Sequence, residues 1–419
     1  MRAAKRPRHS YAGALVETSP HPLLRIGRRH RRRRLALITP WPPQESGVAG
    51  YNRRLAAALS RHVDIDVVVA GARPRFAPPE VRGVRLTEAT AWKPRGDGVL
   101  YCMGNSSVHD HVYELLREHP GPVLLHDAQL TGFFGMYAGR ERPADPLGRL
   151  VERVERVYGA RIPPAEVRTA PLDYRRRMEL GIFLTAEIAC HAERLFVHSA
   201  FAAQVAEEEV RLTTRTVPVS RLPFGMPPAA QRSRGAAAPA PLIVHLGAVS
   251  EEKGVGGLIE AFGMLAREHP KARLVIAGPA GDSERERWRE HARESAPGAD
   301  VALLGRVSDA AYAELLASAD LAVQLRDAFN GEASATVADC LAAGIPTLAT
   351  RLGWSGELPQ TAVRHVEPRA PPPLLAATMS ELLSDTPARA ELSAGALEHA
   401  RRNSFELVAE AYLSALELD

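Results

Sequence analysis

Short apolar runs rich in β-branched residues alternate, through the first half of the chain, with segments whose apolar positions recur every three to four residues. The continuous runs predict strands buried on both faces, and the segments between them predict covering helices. The predicted strands span residues 35–39, 65–70, 99–103, 122–125 and 195–197. The predicted helices span residues 51–61, 108–118, 178–191 and 200–208. This alternation favours a doubly wound α/β unit.

The alternation restarts after residues 227–241, a Pro- and Ala-rich stretch without periodicity that is typical of a linker. The strands predicted here span residues 242–246, 273–277, 301–303, 321–325 and 347–349. The helices span residues 255–267, 284–294, 309–317, 333–343 and 405–416. Two such units in tandem place the carboxyl ends of their strands on either side of one central cleft.

We therefore divide the chain into five parts. A basic, disordered leader (1–33) precedes an N-terminal Rossmann-like domain (34–226). The linker (227–241) leads to a C-terminal Rossmann-like domain (242–403). The last helix (404–419) is expected to pack back on the N-terminal domain, because its apolar spacing gives it one apolar face.

Composition and charge narrow the class of protein. The 419 residues are 45% hydrophobic and 24% charged, which suits two or three folded domains. Residues 1–34 hold eleven Lys or Arg and one Glu, so most of the basic charge is local. Because the whole chain is only +4, subtracting the +10 of this stretch leaves the remainder at −6. Because this remainder is negatively charged, it repels phosphate backbones, and general nucleic-acid binding is disfavoured.

The basic leader bears on localisation. It has no apolar stretch of signal-peptide length, and no run in the chain approaches a membrane span, so we expect a cytoplasmic protein. The leader could tether the chain to the inner face of an anionic membrane or to nucleic acid. A disordered tail or a misplaced start codon is the alternative.

Two loops that each join a strand to a helix have features that favour binding of an anion. In the turn before the first helix, Gly47 and Gly50 leave the backbone bare beside a helix N-terminus, whose partial positive charge favours a phosphate. In the second unit, Lys253 lies in a glycine-flanked loop and is one of only four lysines in the chain. Its ammonium could contact a diphosphate. The alternatives are a Pro-stiffened turn and an exposed lysine.

Polar residues at two other strand ends point to the same cleft. The apolar run at 122–125 is followed by His126 and Asp127, which could orient a substrate hydroxyl or bind the substrate. Another strand is followed by Asn105 and His109, which we expect to line the cleft on the acceptor side. A helix cap is the alternative for the His-Asp pair.

The longest candidate segment runs from the strand at 321–325 into an Ala-rich helix. Glu332 and Asp339 are seven residues apart, about two helical turns, so Asp339 shares the helix face that points toward the turn. One carboxylate could bind sugar hydroxyls and the other a ribose, while the amides at the helix start meet phosphate. A solvated helix residue is the alternative for Asp339. The candidate binding residues here are Arg326, Asn330, Gly331, Glu332, Ala333, Ser334 and Asp339.

These motifs together resemble the retaining glycosyltransferases of the two-Rossmann (GT-B) architecture, especially family 4. The resemblance covers most of residues 35–419, and its most specific parts are Glu252-Lys253-Gly254 and the segment 331–346. It implies a nucleotide-diphospho-sugar donor held mainly by the C-terminal domain. It also implies an acceptor, small, lipid-linked or glycan, held mainly by the N-terminal domain.

The resemblance implies particular roles for four residues. Lys253 would contact the donor diphosphate, the turn near Glu332 the transferred sugar, and Asp339 the ribose, while His126 would lie near the reacting sugar. We expect Gly47 on the donor side and Gly50 on the acceptor side. The reaction implied is a metal-independent, retaining transfer to a hydroxyl without a bound cofactor, with His126, Lys253 and Glu332 as its catalytic residues.

The sequence departs from the family pattern in two places. Many relatives carry a second cationic clamp where this chain has Ala248, and Arg326 could supply the missing charge. The family carries two glutamates with seven residues between them. If the second corresponds to Asp339, the first corresponds to Gly331, so Glu332 lies one position after the place of the expected glutamate. Two alternatives therefore stay open: a nucleotide-sugar epimerase on the same fold, and an inactive subunit that binds a sugar nucleotide for a partner.

Overall fold

The computed structural model describes residues 32–44, 46–71, 83–163, 166, 174–229, 240–328 and 330–418. The predicted leader up to residue 31 and residues 230–239 of the predicted linker lie outside these ranges. Two parallel sheets, each flanked by helices, organise the described chain.

The first sheet has seven strands in the order β3-β2-β1-β4-β5-β6-β7, all of them parallel. The edge strands β3 and β7 were not predicted, because they are partly exposed and lack the apolar runs of the central strands. The strand order reverses between β1 and β4, which makes that point the expected ligand crevice. The strands are β1 Arg34–Ile38, β2 Asp64–Val69, β3 Val84–Glu88, β4 Gly98–Met103, β5 Gly121–Leu125, β6 Ala192–Val197 and β7 Val219–Arg221.

Seven helices accompany this sheet in the described part of the chain. The prediction of a single helix over 178–191 is wrong: the chain leaves the helical path after Glu179, and Leu184 takes a φ of 61°. Two helices between residues 131 and 158 were not predicted. The helices are α1 Gly47–Leu59, α2 Asp110–Glu118, α3 Thr131–Glu141, α4 Pro146–Tyr158, α5 Tyr174–Glu179, α6 Thr185–Ala189 and α7 Ala200–Val210.

The second sheet has six parallel strands in the order β10-β9-β8-β11-β12-β13. Its order reverses between β8 and β11, and β8 and β9 have the predicted bounds. The strands are β8 Leu242–Leu246, β9 Arg273–Ala277, β10 Asp300–Gly305, β11 Leu321–Gln324, β12 Thr347–Thr350 and β13 Arg364–Val366.

Eight helices follow in the second half of the described chain. No helix among the described residues combines the length and the apolar composition needed to cross a bilayer. The helices are α8 Val255–Glu268, α9 Asp282–Ser295, α10 Asp309–Ser318, α11 Ala335–Ala342, α12 Gly353–Gly356, α13 Pro372–Ser384, α14 Thr386–Arg402 and α15 Phe405–Ala415.

The prediction of two doubly wound α/β units is confirmed. We call residues 32–226 lobe one and residues 240–402 lobe two. One apolar cluster spans both lobes and includes Leu55 of α1, Leu341 of α11 and Tyr412 of α15. Helix α15 packs against α1, so the end of the chain lies on lobe one.

Candidate active site

The carboxyl ends of both sheets open onto one cavity of about 350 Å³ between the lobes. The loops after β1, β4, β5, β8 and β11 line it, so both points of strand-order reversal face the same space. Three of the predicted site residues, Gly50, Gly331 and Asp339, lie outside the lining. Those that line the cavity are Gly47, Asn105, His109, His126, Asp127, Lys253, Arg326, Asn330, Glu332, Ala333 and Ser334.

Lys253 reaches the cavity from the loop after β8. The loop forms a 3-10 turn at Glu251–Lys253 and continues through Gly254, whose φ is 63°. A Cβ at position 254 would lie 2.9 Å from Leu325 Cβ, so glycine lets the loop pack against the end of β11. Burial, and after it the neighbouring Arg326 cation, lowers the pKa of Lys253 to about 7. A bound anion would therefore help keep this amine protonated.

Arg326 and Glu332 form an ion pair beside Lys253. Glu332 Oε1 also lies 3.8 Å from Lys253 Nζ. Its Oε2 accepts a hydrogen bond from the Asn330 backbone N–H at 2.6 Å. One carboxylate thus faces two cations, and the cluster carries one net positive charge when the lysine is protonated.

Gly331 fixes the Glu332 turn against lobe one. Its φ is 82°, and a Cβ added there would lie 2.6 Å from Ala128 Cβ. Next to it, the Gln129 backbone N–H donates to the Asn330 carbonyl at 2.8 Å. The position of Glu332 therefore depends on contact between the two lobes.

Two helices begin at the cavity. In α1, Ser46 Oγ accepts from the Val48 N–H at 3.2 Å, and in α11, Ser334 Oγ accepts from the Val337 N–H at 3.4 Å. Both serines line the cavity. Each helix N-terminus therefore adds partial positive charge to the cavity wall.

His126 is held at the end of β5 by a chain of hydrogen bonds. Its Nε2 donates to Asn52 Oδ1 at 3.2 Å, and Asn52 Nδ2 donates to Thr39 Oγ1 at 2.7 Å. Burial lowers the pKa of His126 well below its usual value, and the nearby His198 and His109 act in the same direction. The imidazole is therefore neutral.

Asp127 and Asn105 are tied to each other. Asp127 Oδ2 accepts from the Asn105 backbone N–H at 2.7 Å. The Asn105 side chain is also engaged, because its Oδ1 accepts from the Phe133 N–H at 2.8 Å. Burial raises the pKa of Asp127 to about 6, although the Asn105 N–H and the two cations of lobe two oppose that shift.

Asp339 and Gly50 lie apart from this group. Asp339 Oδ1 is 3.2 Å from Arg54 Nη1, and its Oδ2 accepts from Tyr312 Oη at 3.0 Å. Because Arg54 belongs to α1, this ion pair joins the lobes. Gly50 lies in the first turn of α1. A ribose contact by Asp339 stays a prediction.

Sequence reasoning missed two aromatic residues in the lining. Tyr51 and Phe224 stack with their ring centroids 4.5 Å apart, and Tyr51 also meets the His126 ring edge-on. Tyr51 could have been found, since it is the first residue of the helix predicted at 51–61, directly after the turn at the cleft. Phe224 lies beyond an edge strand, where the sequence has no pattern to place it.

The described residues contain no group of three or more His, Cys, Asp and Glu that could hold a metal ion. The sequence contains two aspartates one residue apart, Asp64 and Asp66. Both lie inside β2, where Asp66 Oδ2 accepts from Arg85 Nη2 at 2.6 Å.

A family comparison covers the lobe-two side of the cavity. Residues 228–399 match the family model described as Glycosyl transferases group 1. This segment belongs to that family. The glycosyl transferases group 1 segment contains Lys253, Arg326 and Glu332, whereas the cavity residues of lobe one precede it.

Solved structures resemble both lobes together. Sucrose-phosphate synthase from Thermosynechococcus elongatus is 16% identical, with a TM-score of 0.62 over 92% of this chain and 98% of that chain. The glycosyltransferase WaaG is 14% identical, with a TM-score of 0.58 over 91% and 99%. HepE from Anabaena, solved with UDP-glucose, is 12% identical, with a TM-score of 0.56 over 92% and 99%. No curated protein matches the chain. These likenesses show the GT-B fold.

Proposed function

We propose that this chain is a retaining glycosyltransferase that moves a sugar from a nucleotide-diphospho-sugar to an acceptor hydroxyl. The observation that carries the proposal is the convergence of Lys253, Arg326 and the N-terminus of α11 on one cavity. Each of these groups favours an anion, and two separate cations suit the two phosphates of a diphosphate. The family of residues 228–399 supports the same class of reaction.

Arg326 takes the place of the cation that is missing at Ala248. Ala248 lines the cavity after β8 and offers no charge there. Arg326 comes from the end of β11, the strand beside β8, so its guanidinium enters the same space from the neighbouring loop. A diphosphate between Lys253 and Arg326 would then meet a cation from each of two adjacent loops.

Glu332 keeps the two cations in place before the donor binds. Its carboxylate is shared between Arg326 and Lys253. A bound diphosphate would neutralise part of the positive charge of Arg326 and Lys253. Glu332 could then accept hydrogen bonds from hydroxyls of the transferred sugar. The arrangement keeps the site charged and ordered without a ligand.

The chemical step separates charge across the cavity. As the bond from the sugar to the diphosphate breaks, negative charge grows on the phosphate oxygens, where Lys253 and Arg326 stabilise it. Positive charge grows on the sugar, which becomes oxocarbenium-like. The neutral His126 does not repel that positive charge, whereas a protonated imidazolium would repel it. The acceptor oxygen then bonds to the anomeric carbon on the face from which the diphosphate departs, and the hydroxyl proton passes to a phosphate oxygen of the leaving diphosphate. Closure of the two lobes around bound substrates would exclude water and so limit hydrolysis of the donor.

The donor class has support from one structural relative. HepE was solved with UDP and with UDP-glucose. A nucleotide-sugar is accordingly the donor class we propose here, with the cations of lobe two on its diphosphate.

A thermal-shift screen of UDP-, GDP- and ADP-sugars tests the proposal. A ligand at 100 times its Kd should stabilise the fold by about 2.7 kcal/mol. Lys253→Met and Arg326→Met should each weaken that ligand roughly 10- to 100-fold, as expected for a lost hydrogen bond to a charged group. Lys271→Met is the matched control, because Lys271 is an exposed lysine of the same lobe. Unchanged affinity in Lys253→Met would refute the proposal.

Product analysis separates the alternatives. A glycosyltransferase releases the nucleotide diphosphate in step with glycoside formation, and only when an acceptor is present, apart from slow hydrolysis. An epimerase converts the donor alone. An inactive subunit binds the donor and turns over nothing across a panel of acceptors.

A further inference from the structure

His109 carries an unused hydrogen-bond acceptor beside the cavity. The residue is 1% exposed and lines the cavity. Its Nε2 is buried and has no hydrogen-bond partner among the residues that the structure describes. Leaving a buried polar atom unpaired is costly, so a ligand that supplies the missing donor would be favoured.

The other ring nitrogen fixes which tautomer His109 adopts. Nδ1 lies 3.0 Å from the Ser106 carbonyl oxygen, which can only accept, so Nδ1 carries the proton and donates. Ser106 Oγ lies farther away, at 3.3 Å, and can accept from the same N–H. Burial lowers the pKa of His109 to about 4, so the ring stays neutral near pH 7. Nε2 then holds a lone pair and needs a donor from outside the protein.

A second acceptor lies beside the first. A Cβ added to Gly104 would lie 2.9 Å from both His109 Nε2 and Asp127 Oδ2. The two acceptor atoms therefore lie within 5.8 Å of each other, because each is 2.9 Å from the same point. Asp127 Oδ2 already accepts from the Asn105 N–H, and its second oxygen adds further acceptor capacity. Both side chains belong to lobe one and lie in the lining of the cavity.

We propose that His109 Nε2 and the Asp127 carboxylate bind two neighbouring hydroxyls of the acceptor, which is therefore a sugar or another polyol. The inference rests on the proposed function, since it places the acceptor opposite the cations that would hold the donor. A single alcohol would bind only one of the two acceptor groups. A vicinal diol satisfies both.

Other buried histidines show that an unpaired nitrogen alone does not make such a site. His245 also places Nδ1 on a backbone carbonyl, that of Val323, at 2.9 Å. Its Nε2 is likewise unpartnered within the described chain, and the residue is 1% exposed. His245 lies outside the cavity lining, within β8. His245 is therefore the matched control for His109.

Titration of the full chain with defined polyols tests the proposal. The probes are methyl α-D-glucopyranoside, methyl α-D-mannopyranoside, methyl α-D-galactopyranoside and myo-inositol, with cyclohexanol as the single-hydroxyl ring of similar size. Calorimetry is run without nucleotide and with the nucleotide diphosphate that most stabilises the chain. We expect at least one polyol to bind more than tenfold tighter than cyclohexanol.

Three variants separate a binding role from a structural one. His109→Phe keeps a ring and removes the acceptor atom, and it should weaken the polyol roughly three- to tenfold, the range of one neutral hydrogen bond. His109→Gln restores an acceptor atom at a similar distance from the backbone, and it should recover part of the lost polyol affinity. His245→Phe should leave polyol affinity unchanged. Nucleotide diphosphate binding should be the same in His109→Phe as in the unmodified chain.

The inference is overturned if no polyol binds, if cyclohexanol binds as well as the polyols, or if His109→Phe has no effect on the polyol. It is also overturned if His109→Phe and His245→Phe weaken polyol binding equally, since that result indicates a general packing defect. Failure of the proposed function looks different, because then no nucleotide-sugar stabilises the chain and Lys253→Met changes nothing.

Discussion

The two ends of the cavity differ in charge and in how they are assembled. The lobe-two end presents Lys253 and Arg326, and it suits an anion. The lobe-one end presents hydrogen-bond acceptors, His109 Nε2 and the Asp127 carboxylate, and it suits a ligand rich in donors. This polarity orients both proposed substrates, with the diphosphate toward lobe two and the hydroxyls of the acceptor toward lobe one.

The two ends also depend differently on contact between the lobes. The Glu332 turn is positioned by Ala128 and Gln129 of lobe one, so the donor end is complete only while the lobes touch. His109 and Asp127 are held by hydrogen bonds within lobe one. Movement of the lobes would therefore disturb the donor end first and leave the acceptor end formed.

Gly331→Ala should break the donor end and have the largest effect. The new Cβ would lie 2.6 Å from Ala128 Cβ, at a φ of 82° that disfavours side chains. We expect roughly 1–2 kcal/mol of backbone strain and roughly 1–3 kcal/mol from the clash. Displacement of Glu332 should lower the transfer rate about 100-fold or more. Thermal unfolding and transfer rates measure the two effects.

Gly257→Ala is the control for this substitution. Gly257 lies in α8 with a helical φ, and its added Cβ would meet no described atom within 4 Å. The stability of the Gly257→Ala variant should stay the same or rise, and its transfer rate should be unchanged. If Gly331→Ala behaves like Gly257→Ala, the donor end does not depend on contact with Ala128.

Gly104→Ala should damage the acceptor end alone. Its Cβ would lie 2.9 Å from Asp127 Oδ2 and His109 Nε2, so both side chains must shift while the backbone keeps an ordinary φ. We expect the KM for a polyol acceptor to rise about tenfold, equivalent to ~1.4 kcal/mol. Nucleotide affinity should change less than this KM, because Lys253 and Arg326 keep their positions on the other lobe and only the distance of the Asp127 charge from them changes. A parallel loss of nucleotide affinity would contradict the separation of the two ends.

The donor end could be predicted from the sequence because its signals are local. Lys253 lies in a glycine-flanked loop directly after the continuous apolar run 242–246, and that run is β8 with the predicted bounds. The turn at Glu332 likewise follows a buried strand and precedes a capped helix. In each case strand, loop and helix lie within about 20 residues of one another.

Much of lobe one could not be predicted, because distant residues shape it. Arg153 of α4 is 2% exposed and pairs with Glu141 at 2.7 Å and Glu187 at 3.1 Å. Charged residues at buried positions hide the apolar periodicity by which a helix is recognised.

The break in the predicted helix over 178–191 has a similar origin. The backbone N–H groups of Phe183 and Leu184 donate to Tyr158 Oη at 2.8 and 2.7 Å, across 25 residues or more of sequence. Thr185 Oγ1 then donates to the Ala128 carbonyl at 2.6 Å, which supports the loop that meets Gly331. No local pattern encodes these contacts, so the surroundings of Ala128 required the structure.

The pH dependence of binding should separate the two ends further. The pKa of Lys253 is lowered to about 7, so the amine is charged below that pH and loses its charge above it. Affinity for a nucleotide-sugar should fall as the pH rises from 6 to 9, by at most tenfold per pH unit, and bound diphosphate should move the fall upward. His109, with a pKa of about 4, stays neutral throughout, so polyol affinity should be flat from pH 7 to 9.

Lys253→Arg is the control for the pH profile. An arginine stays charged over this range, so its nucleotide-sugar affinity should be nearly independent of pH. A fall in affinity that persists unchanged in Lys253→Arg would assign the titration to another group and remove Lys253 from the donor end.

Arg54→Met should have the smallest effect and reports on the link between the lobes. Arg54 is 44% exposed in its ion pair with Asp339, so the loss of stability should be within about 1 kcal/mol. If Asp339 binds the ribose, freeing its carboxylate should raise nucleotide affinity slightly, whereas a fall would mean that Arg54 itself contacts the ligand. Arg61→Met is the control, because Arg61, which follows the end of α1, pairs with Glu406 of α15 away from the cavity lining. Both variants are measured by thermal unfolding and nucleotide titration, and only Arg54→Met should change the second.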